Sequence, residues 1–158
     1  MGKRLIQQRR GRGGPTYRAP THRSIGKTYY PFFSGETQTG QIADLVNSTF
    51  NSAPLMVIEY SDGQLSLLPA PEGVRVGQSI EYGGNKVTKG NILRLDNIPS
   101  GTLIYNLEKT PGDGGKFVKT SGTYAQVIGK EGKGVAVKLP SKKKVILNSN
   151  CFATIGIA

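Results

Sequence analysis

The chain is short, basic and rich in residues that break helices. Its 158 residues include 21 Lys and Arg against 10 Asp and Glu, which gives a formal net charge of +11. Such an excess indicates a polyanionic partner, because negative groups such as phosphates offset the self-repulsion of the fold. Nucleic acid is the first candidate for this partner. The 22 glycines and 9 prolines argue against a helix bundle and favour short strands joined by turns. A single cysteine, Cys151, excludes disulfide and zinc-finger scaffolds.

The first 35 residues are predicted to form an N-terminal arm. They contain eight Lys and Arg and no acidic residue, interleaved with Gly and Pro. This composition cannot bury a core, so we expect an extended arm, disordered when free, that becomes ordered on RNA. A mitochondrial transit peptide is also Arg-rich, but it needs an amphipathic helix that this Gly and Pro spacing opposes. The predicted RNA contacts of the arm are Lys3, Arg4, Arg9, Arg10, Arg12, Tyr17, Arg18, His22, Arg23 and Lys27.

Residues 36–97 are predicted to form a small β-barrel of the oligonucleotide-binding type. Strand-like runs at 56–60 and 64–68 flank an Asp62-Gly63 pair, which is a strong local signal for a hairpin. Residues 74–82 are predicted to continue in β structure. About five short strands with frequent turns suit a small, partly open barrel. This segment has more acidic than basic residues, which makes it a poor clamp for phosphates.

Residues 98–158 are predicted to form a second small barrel. Its basic residues outnumber its acidic ones, and many of them lie in three Lys-bearing loops, at 111–119, 129–134 and 141–144. In so small a barrel these loops could form one basic surface that follows a phosphate backbone. Runs rich in Val, Ile, Phe or Thr separate them and predict strands at 102–108, 117–118, 125–128, 135–139, 145–147 and 152–155.

Short motifs in the second barrel have simpler explanations than a phosphate-binding loop. Gly129-Lys130-Glu131-Gly132 matches a loop that clamps RNA between two helices, but here it joins two strand-like runs and predicts a hairpin turn. Residues 111–116 lack the spacing and the helix of a nucleotide-hydrolysing loop. Residues 142–144 fit a solvated hairpin tip and an RNA contact equally well. The predicted RNA contacts of this barrel are Lys116, Lys119, Thr120, Gly122, Thr123, Lys130, Lys133, Lys142 and Lys143.

Catalytic and metal-binding arrangements are not visible in the sequence. His22 has no nearby carboxylate, and Cys151 has no partner within its own segment. We therefore expect no enzyme activity, cofactor, metal or small-molecule substrate, and we expect Cys151 to be buried. No stretch approaches 18 consecutive apolar residues, and no signal peptide or amphipathic helix is visible. We expect no membrane partner and a reducing, cytosolic context.

Eight motifs follow one another along nearly the whole chain. They are Met1-Gly2-Lys3-Arg4, Arg10-Gly11-Arg12, PTYRAPTHR at 15–23, NIPSGT at 97–102, PGDGG at 111–115, SGTYAQ at 121–126, GKEGK at 129–133 and CFATIG at 151–156. Together they resemble the family of the universal large-ribosomal-subunit protein two, in its archaeal or eukaryotic-like form. Several motifs in the same order are far more specific than any single one.

The resemblance implies an oligonucleotide-binding-type barrel followed by an SH3-like barrel, with the arm threaded into ribosomal RNA. It implies a structural component of the large ribosomal subunit, cytoplasmic, that supports subunit assembly and the architecture around the peptidyl-transferase region. Its implied partners are large-subunit rRNA and neighbouring ribosomal proteins, with the arm and residues 112–122 as preferred contacts. The main alternative is a stand-alone SH3-like RNA-binding module acting in transcription or RNA maturation. An enzyme accessory at peptidyl transfer and a basic membrane-surface protein are weaker rivals.

Two departures limit what the resemblance implies. The family usually has an Asp-Pro-x-Arg stretch before the second strand of the first barrel, whereas residues 50–54 here read FNSAP and contain no Arg. An RNA contact expected at that stretch is therefore not carried over. Family members continue past Gly156 into a Gly-, His- and Arg-rich extension, and this sequence stops at Ala158. We expect the chain to lack that extension, and its roles are not carried over.

Overall fold

The computed structural model of the chain describes residues 5–32 and 37–158, and it is built from strands. No α-helix occurs in these two ranges; four short 3-10 helices lie at Arg9–Arg12, Pro15–Tyr17, Thr21–Arg23 and Leu95–Asn97. The first five strands are β1 Gln38–Val46, β2 Leu55–Tyr60, β3 Leu65–Pro69, β4 Ser79–Tyr82 and β5 Ile92–Arg94. The other five are β6 Leu103–Tyr105, β7 Ala125–Glu131, β8 Gly134–Lys138, β9 Lys144–Asn148 and β10 Phe152–Ile155. The all-β prediction is confirmed.

The ten strands form one continuous sheet in the order β3-β2-β1-β4-β5-β10-β6-β7-β8-β9. The neighbouring pairs are antiparallel, except that β4 and β5 meet in parallel at Tyr82 and Ile92. The strand β10 lies between β5 and β6 and pairs with both. The last strand of the sequence therefore joins the first half of the sheet to the second.

Two separate hydrophobic cores lie on this sheet. The first is formed by β1 to β4 and includes Ile42, Ile58 and Ile80, all fully buried. The second is formed by β6 to β10 and the segment around Leu93 and Leu95. Each cluster is covered by its own group of neighbouring strands, which is consistent with a barrel-type fold. Cys151 is buried in the second core, as the sequence predicts.

Both predicted hairpins are present. The strands β2 and β3 pair from Glu59 and Leu65 onwards, and the turn between them contains Gly63 with a φ of 80°. The Asp62 carboxylate accepts a hydrogen bond of 3.0 Å from the Gln64 amide, which is the local reason for this turn. The GKEG motif likewise forms a β-turn hairpin, because β7 continues to Glu131 and pairs there with β8.

Three strand predictions are corrected by the structure. Residues 74–78 form turns, so only Ser79–Tyr82 of the run 74–82 is a strand. The run 102–108 keeps strand geometry only at Leu103–Tyr105, because Asn106 has a φ of 49° and turns the chain. The run 117–118 forms a single bridge from Phe117 to Leu107. Val118 has a φ of 54°, which is incompatible with a strand despite its β-branched side chain.

Candidate nucleic-acid interface

The loop at residues 111–119, here called the glycine loop, is shaped by one carboxylate. One oxygen of Asp113 accepts hydrogen bonds from the backbone amides of Lys109 and Thr110, at 3.0 and 3.2 Å. The other oxygen accepts one from the amide of Gly115 at 3.1 Å. These three bonds close the loop on itself, so its backbone geometry does not depend on a bound partner.

A buried glutamate connects the glycine loop to the middle of the sheet. Glu108 is 1% exposed. Its Oε1 accepts a 3.1 Å hydrogen bond from the amide of Gly114, and its Oε2 accepts a 2.9 Å bond from the amide of Phe152 in β10. A buried carboxylate is tolerated when its oxygens are hydrogen-bonded, and here two backbone donors meet that need. Glu108 therefore fixes the loop relative to β10.

The C-terminal part of the arm is seated on this loop through Tyr30. The Tyr30 amide donates to the carbonyl of Gly114 at 3.2 Å, and its hydroxyl donates to the carbonyl of Asn106 at 2.6 Å. The same hydroxyl lies 2.7 Å from Oγ1 of Thr154 in β10. Burial raises the pKa of the Tyr30 phenol well above its usual value, so the ring stays neutral at ordinary pH. Its ring packs in the first core, while its hydroxyl bonds to the second half of the chain.

Lys119 is a partly buried member of the predicted RNA-binding set. Its ammonium group donates to the carbonyl of Thr28 in the arm at 3.1 Å and to the carbonyl of Gly115 at 3.4 Å. Burial lowers the pKa of Lys119, and the neighbouring charge of Lys116 lowers it further. Lys119 therefore joins the arm to the glycine loop, whereas Lys116 is exposed to solvent.

The side chains of residues 5–27 are exposed, whereas Tyr30 and Pro31 are buried, so the expectation that the arm buries nothing in a core is wrong for its last residues. Its 3-10 turns are separated by Gly and Pro, and the first ends at Gly13 in the left-handed conformation. The guanidinium of Arg10 lies 5.7 Å from the centroid of the Tyr17 ring, within cation–π range. The exposed predicted contacts are Arg9, Arg10, Arg12, Tyr17, Arg18, His22, Arg23 and Lys27. Lys3 and Arg4 lie outside the described residues.

The turn containing Thr120, Gly122 and Thr123 continues from the glycine loop. The amide of Gly122 donates to the carbonyl of Ala158 at 2.7 Å, and the Thr123 hydroxyl donates to the carbonyl of Thr120. The amide of Ser121 donates to the hydroxyl of Ser52 in the first half of the chain, at 3.0 Å. This turn is thus bonded to two distant segments while the side chain of Thr120 remains exposed.

The remaining lysines lie in the two hairpins that flank β8. Lys133 precedes β8 and Lys142 follows it, so the two hairpin tips lie at opposite ends of that strand, roughly 13 Å apart. Lys130 also forms an ion pair with Asp96, with 2.5 Å between Nζ and Oδ1. The tip with Lys142 and Lys143 follows the end of β8 that pairs with the start of β7. An ion pair of 2.9 Å between Nζ of Lys144 and Oε2 of Glu131 links the 141–144 loop to the 129–134 loop. The single basic surface of three Lys loops stays a prediction.

Three residues that hold the interface together were missed at the sequence level. The sequence analysis does not include Tyr30, Glu108 or Asp113 among the predicted RNA contacts. The structure shows that these residues position the arm and the glycine loop. Only Asp113 has a local signal, since Asp followed by Gly marks a hydrogen-bonded turn. The partners of Tyr30 are 76 and 124 residues away in sequence, and no local pattern reports such a contact.

The assembled surface suits a polyanion. The arm carries exposed guanidinium and ammonium groups and is bonded to the glycine loop at Thr28 and Tyr30. Arginine offers a planar fork to phosphate oxygens and a face to bases. Within residues 5–32 and 37–158, no three His, Cys, Asp or Glu side chains are grouped as metal ligands. In the same ranges no helix has the length and apolar character needed to cross a membrane.

Comparison with known proteins gives one consistent family. The sequence model for Ribosomal Proteins L2, C-terminal domain, matches residues 88–158. The large ribosomal subunit protein uL2 of Nanoarchaeum equitans is 47% identical over 159 residues, covering 99% of this chain and 67% of that protein. The proteins of the same name from Sulfurisphaera tokodaii and Methanothermobacter thermautotrophicus are 45% and 42% identical, each over 99% of this chain and over 66% and 67% of their own lengths.

This chain spans about two thirds of the length of these relatives. The aligned region includes the basic arm and both halves of the sheet, because it covers 99% of the chain. The resemblance seen in the ordered motifs is therefore confirmed over arm, first core and second core together. The chain belongs to the family of the large ribosomal subunit protein uL2.

Proposed function

We propose that the chain is a structural, non-enzymatic component of the large ribosomal subunit that binds large-subunit rRNA. In this role it acts in the cytoplasm, contacts neighbouring ribosomal proteins, and supports subunit assembly and the architecture around the peptidyl-transferase region. The observation that carries the proposal is the similarity of 99% of the chain to relatives named for that subunit. A stand-alone SH3-like module is disfavoured because the similarity includes the arm and the first core as well.

The proposed contact surface has two parts. The arm supplies exposed cations such as Arg9, Arg10 and Arg12. The glycine loop and the turn after it supply Lys116, an exposed hydroxyl at Thr120 and backbone groups held in fixed positions. Folded RNA is recognised mainly through its shape and phosphate backbone, which suits exposed cations together with a loop of fixed geometry.

We propose the same division of the chain as the sequence analysis: an arm at 1–35, a first barrel at 36–97 and a second at 98–158. Two distinct buried clusters support it. The charge follows the division, since the arm and the second barrel are basic and the first barrel is acidic. The phosphate contacts are therefore proposed for the arm and the second barrel.

The proposal is tested by reversing two charges of the arm. We expect Arg10→Glu with Arg12→Glu to weaken binding to purified large-subunit rRNA and to make the salt dependence shallower by about 2 in the log–log slope, because two phosphate contacts are lost. The measurement is a filter-binding or fluorescence titration at several salt concentrations.

The matched control is Arg75→Glu with Lys89→Glu, which makes the same change of net charge on exposed positions of the first barrel. We expect a smaller change of slope for this pair. Equal effects of the two double variants would contradict a specific contact by the arm. In cells, crosslinked RNA should map to a few large-subunit rRNA helices, and reads scattered over messenger RNA would overturn the ribosomal assignment.

A further inference from the structure

A cleft of about 480 Å³ lies between the arm and the turn that joins β1 to β2. Its size is within the range of small-ligand pockets. None of the residues around it is acidic; they are Ser24, Gly26, Lys27, Thr28, Phe50 and Asn51. The arm side of the cleft, with Lys27, can therefore accept an anion. The turn side, with Phe50, can accept a flat apolar group.

Hydrogen bonds fix both walls of the cleft. The arm wall is held at one end by the Thr49 hydroxyl, which donates to the carbonyl of Pro20 at 3.4 Å. It is held at the other end by Lys119, whose ammonium donates to the carbonyl of Thr28 at 3.1 Å. The turn wall is held by Ser52, whose hydroxyl accepts the amide of Ser121 at 3.0 Å. The opening does not depend on a ligand to keep its shape.

Phe50 presents its ring to solvent at this cleft. It lies in a tight turn closed by the amide of Asn51 and the carbonyl of Ser48, 3.2 Å apart. Its exposed fraction is 55%, whereas a large apolar ring is ordinarily packed in a core. An exposed aromatic ring beside cations is the usual platform for an unstacked base in single-stranded nucleic acid.

We propose that this cleft binds one unpaired nucleotide of RNA. The base stacks on the ring of Phe50, the side-chain amide of Asn51 offers both a donor and an acceptor to the base edge, and Lys27 contacts the phosphate. Stacking tolerates every base, so the site recognises an unpaired position rather than a sequence. The inference rests on the proposed rRNA binding and adds a specific subsite to it.

The first test compares substitutions at Phe50 in the full chain. We expect Phe50→Ala to weaken binding to large-subunit rRNA about tenfold, because base stacking on an aromatic ring is lost. Phe50→Tyr keeps the flat ring and should bind as the original chain does. Phe50→Leu keeps apolar bulk without a π face and should behave like Phe50→Ala. Leu65→Ala removes a side chain of similar exposure, 65%, at a distant hairpin and serves as the control.

The second test locates the nucleotide directly. Large-subunit rRNA carrying 4-thiouridine is irradiated with the full chain, and crosslinked peptides are identified by mass spectrometry. The expected crosslinks include one to the peptide containing Phe50. This crosslink should disappear in Phe50→Leu, while crosslinks to other parts of the arm remain. Lys27→Ala should make the salt slope shallower by about 0.7, the value for one single-strand phosphate contact.

The outcomes separate the subsite from the function on which it rests. If rRNA binds the chain at physiological salt, but Phe50→Ala and Phe50→Leu bind equally well and no crosslink forms at Phe50, the nucleotide subsite is overturned and rRNA binding stands. If the original chain does not bind rRNA, the proposed function fails first. Loss of binding with an unchanged free energy of unfolding in Phe50→Ala, and retention in Phe50→Tyr, supports the stacked nucleotide.

Discussion

The arm is built in two different ways along its length. From residue 5 to residue 27 its side chains are exposed, and its 3-10 turns bury nothing. From Thr28 to Tyr30 it is bonded to Lys119 and Gly114 of the glycine loop and to the carbonyl of Asn106, and Tyr30 is 5% exposed. The first stretch holds most of the cations and the second holds most of the contacts. Binding to RNA and stability of the fold are thus assigned to neighbouring but separate segments.

The largest expected effect on stability is at Glu108. We expect Glu108→Ala to lower the free energy of unfolding by about 3 kcal/mol, because the buried amide of Gly114 and the part-buried amide of Phe152 both lose their acceptor. Urea unfolding measures this change. Glu59→Ala, at an exposed position of β2, is the control and should have little effect. A loss below about 1 kcal/mol for Glu108→Ala would mean that the anchor contributes little.

A smaller loss is expected at Gly114, where the arm approaches the loop most closely. Gly114 has a φ of 79°, and a Cβ there would lie 2.9 Å from Cβ of Tyr29. We expect Gly114→Ala to lower the free energy of unfolding by about 2 kcal/mol. Gly112→Ala is matched, because Gly112 has a φ of 82° with no atom near its Cβ position and so reports strain alone. Equal losses in the two variants would show that steric contact between Tyr29 and the Gly114 position does not contribute to the loss.

The next effect concerns Tyr30 and its dependence on pH. We expect Tyr30→Phe to lower the free energy of unfolding at pH 7 by about 1 kcal/mol, since the carbonyl of Asn106 and the hydroxyl of Thr154 lose their partner. The pKa of Tyr30 is raised in the folded chain. The unfolded chain therefore releases the phenol proton first, and stability that is complete below about pH 10 falls as the pH rises above it.

Removing the phenol should make that alkaline loss shallower. Unfolding of the original chain and of Tyr30→Phe, compared between neutral pH and about pH 11, measures the difference. Other buried tyrosines, such as Tyr105, contribute a loss of the same sign in both chains. Parallel pH curves for the two chains would rule out a contribution from Tyr30.

The smallest stability effect is expected in the exposed part of the arm. Arg10→Glu with Arg12→Glu should change the free energy of unfolding by less than about 0.5 kcal/mol, although it weakens rRNA binding. Neither side chain is buried, and Arg10 contacts only the exposed ring of Tyr17 among the ring contacts of the described residues. A large loss of stability in this variant would contradict the conclusion that one stretch of the arm binds RNA and the other stabilises the fold.

Local features were predictable from the sequence, and long-range ones were not. The hairpin at Asp62 and Gly63 depends on two adjacent residues, and the exposure of the arm follows from its composition. The position of the Tyr30 side chain depends on its hydrogen bonds to Asn106 and Thr154, and no pattern near residue 30 reveals these partners. The run at 117–118 was misjudged because β propensity is overridden where the backbone adopts a positive φ.

The candidate site shows the same limit. The sequence identified the charged residues of the arm and of the glycine loop, because charge is a property of each residue alone. It did not show that Lys119 bonds to the arm, that Lys130 pairs with Asp96, or that Lys144 pairs with Glu131. Those features depend on register and on contacts between segments distant in sequence, which only the folded chain determines.

The central place of β10 has a consequence for the order in which the chain can fold during synthesis. The strands β1 to β4 can pair as soon as they leave the ribosome, because each partner precedes residue 83. The strand β5 has one parallel bridge to β4, and its antiparallel partner β10 is translated about sixty residues later. Until then the edge of β5 is unpaired and the carboxylate of Glu108 lacks the Phe152 amide. Completion of the sheet is therefore a late, non-local closure, the kind of step that slows folding and leaves nascent chains open to wrong pairing.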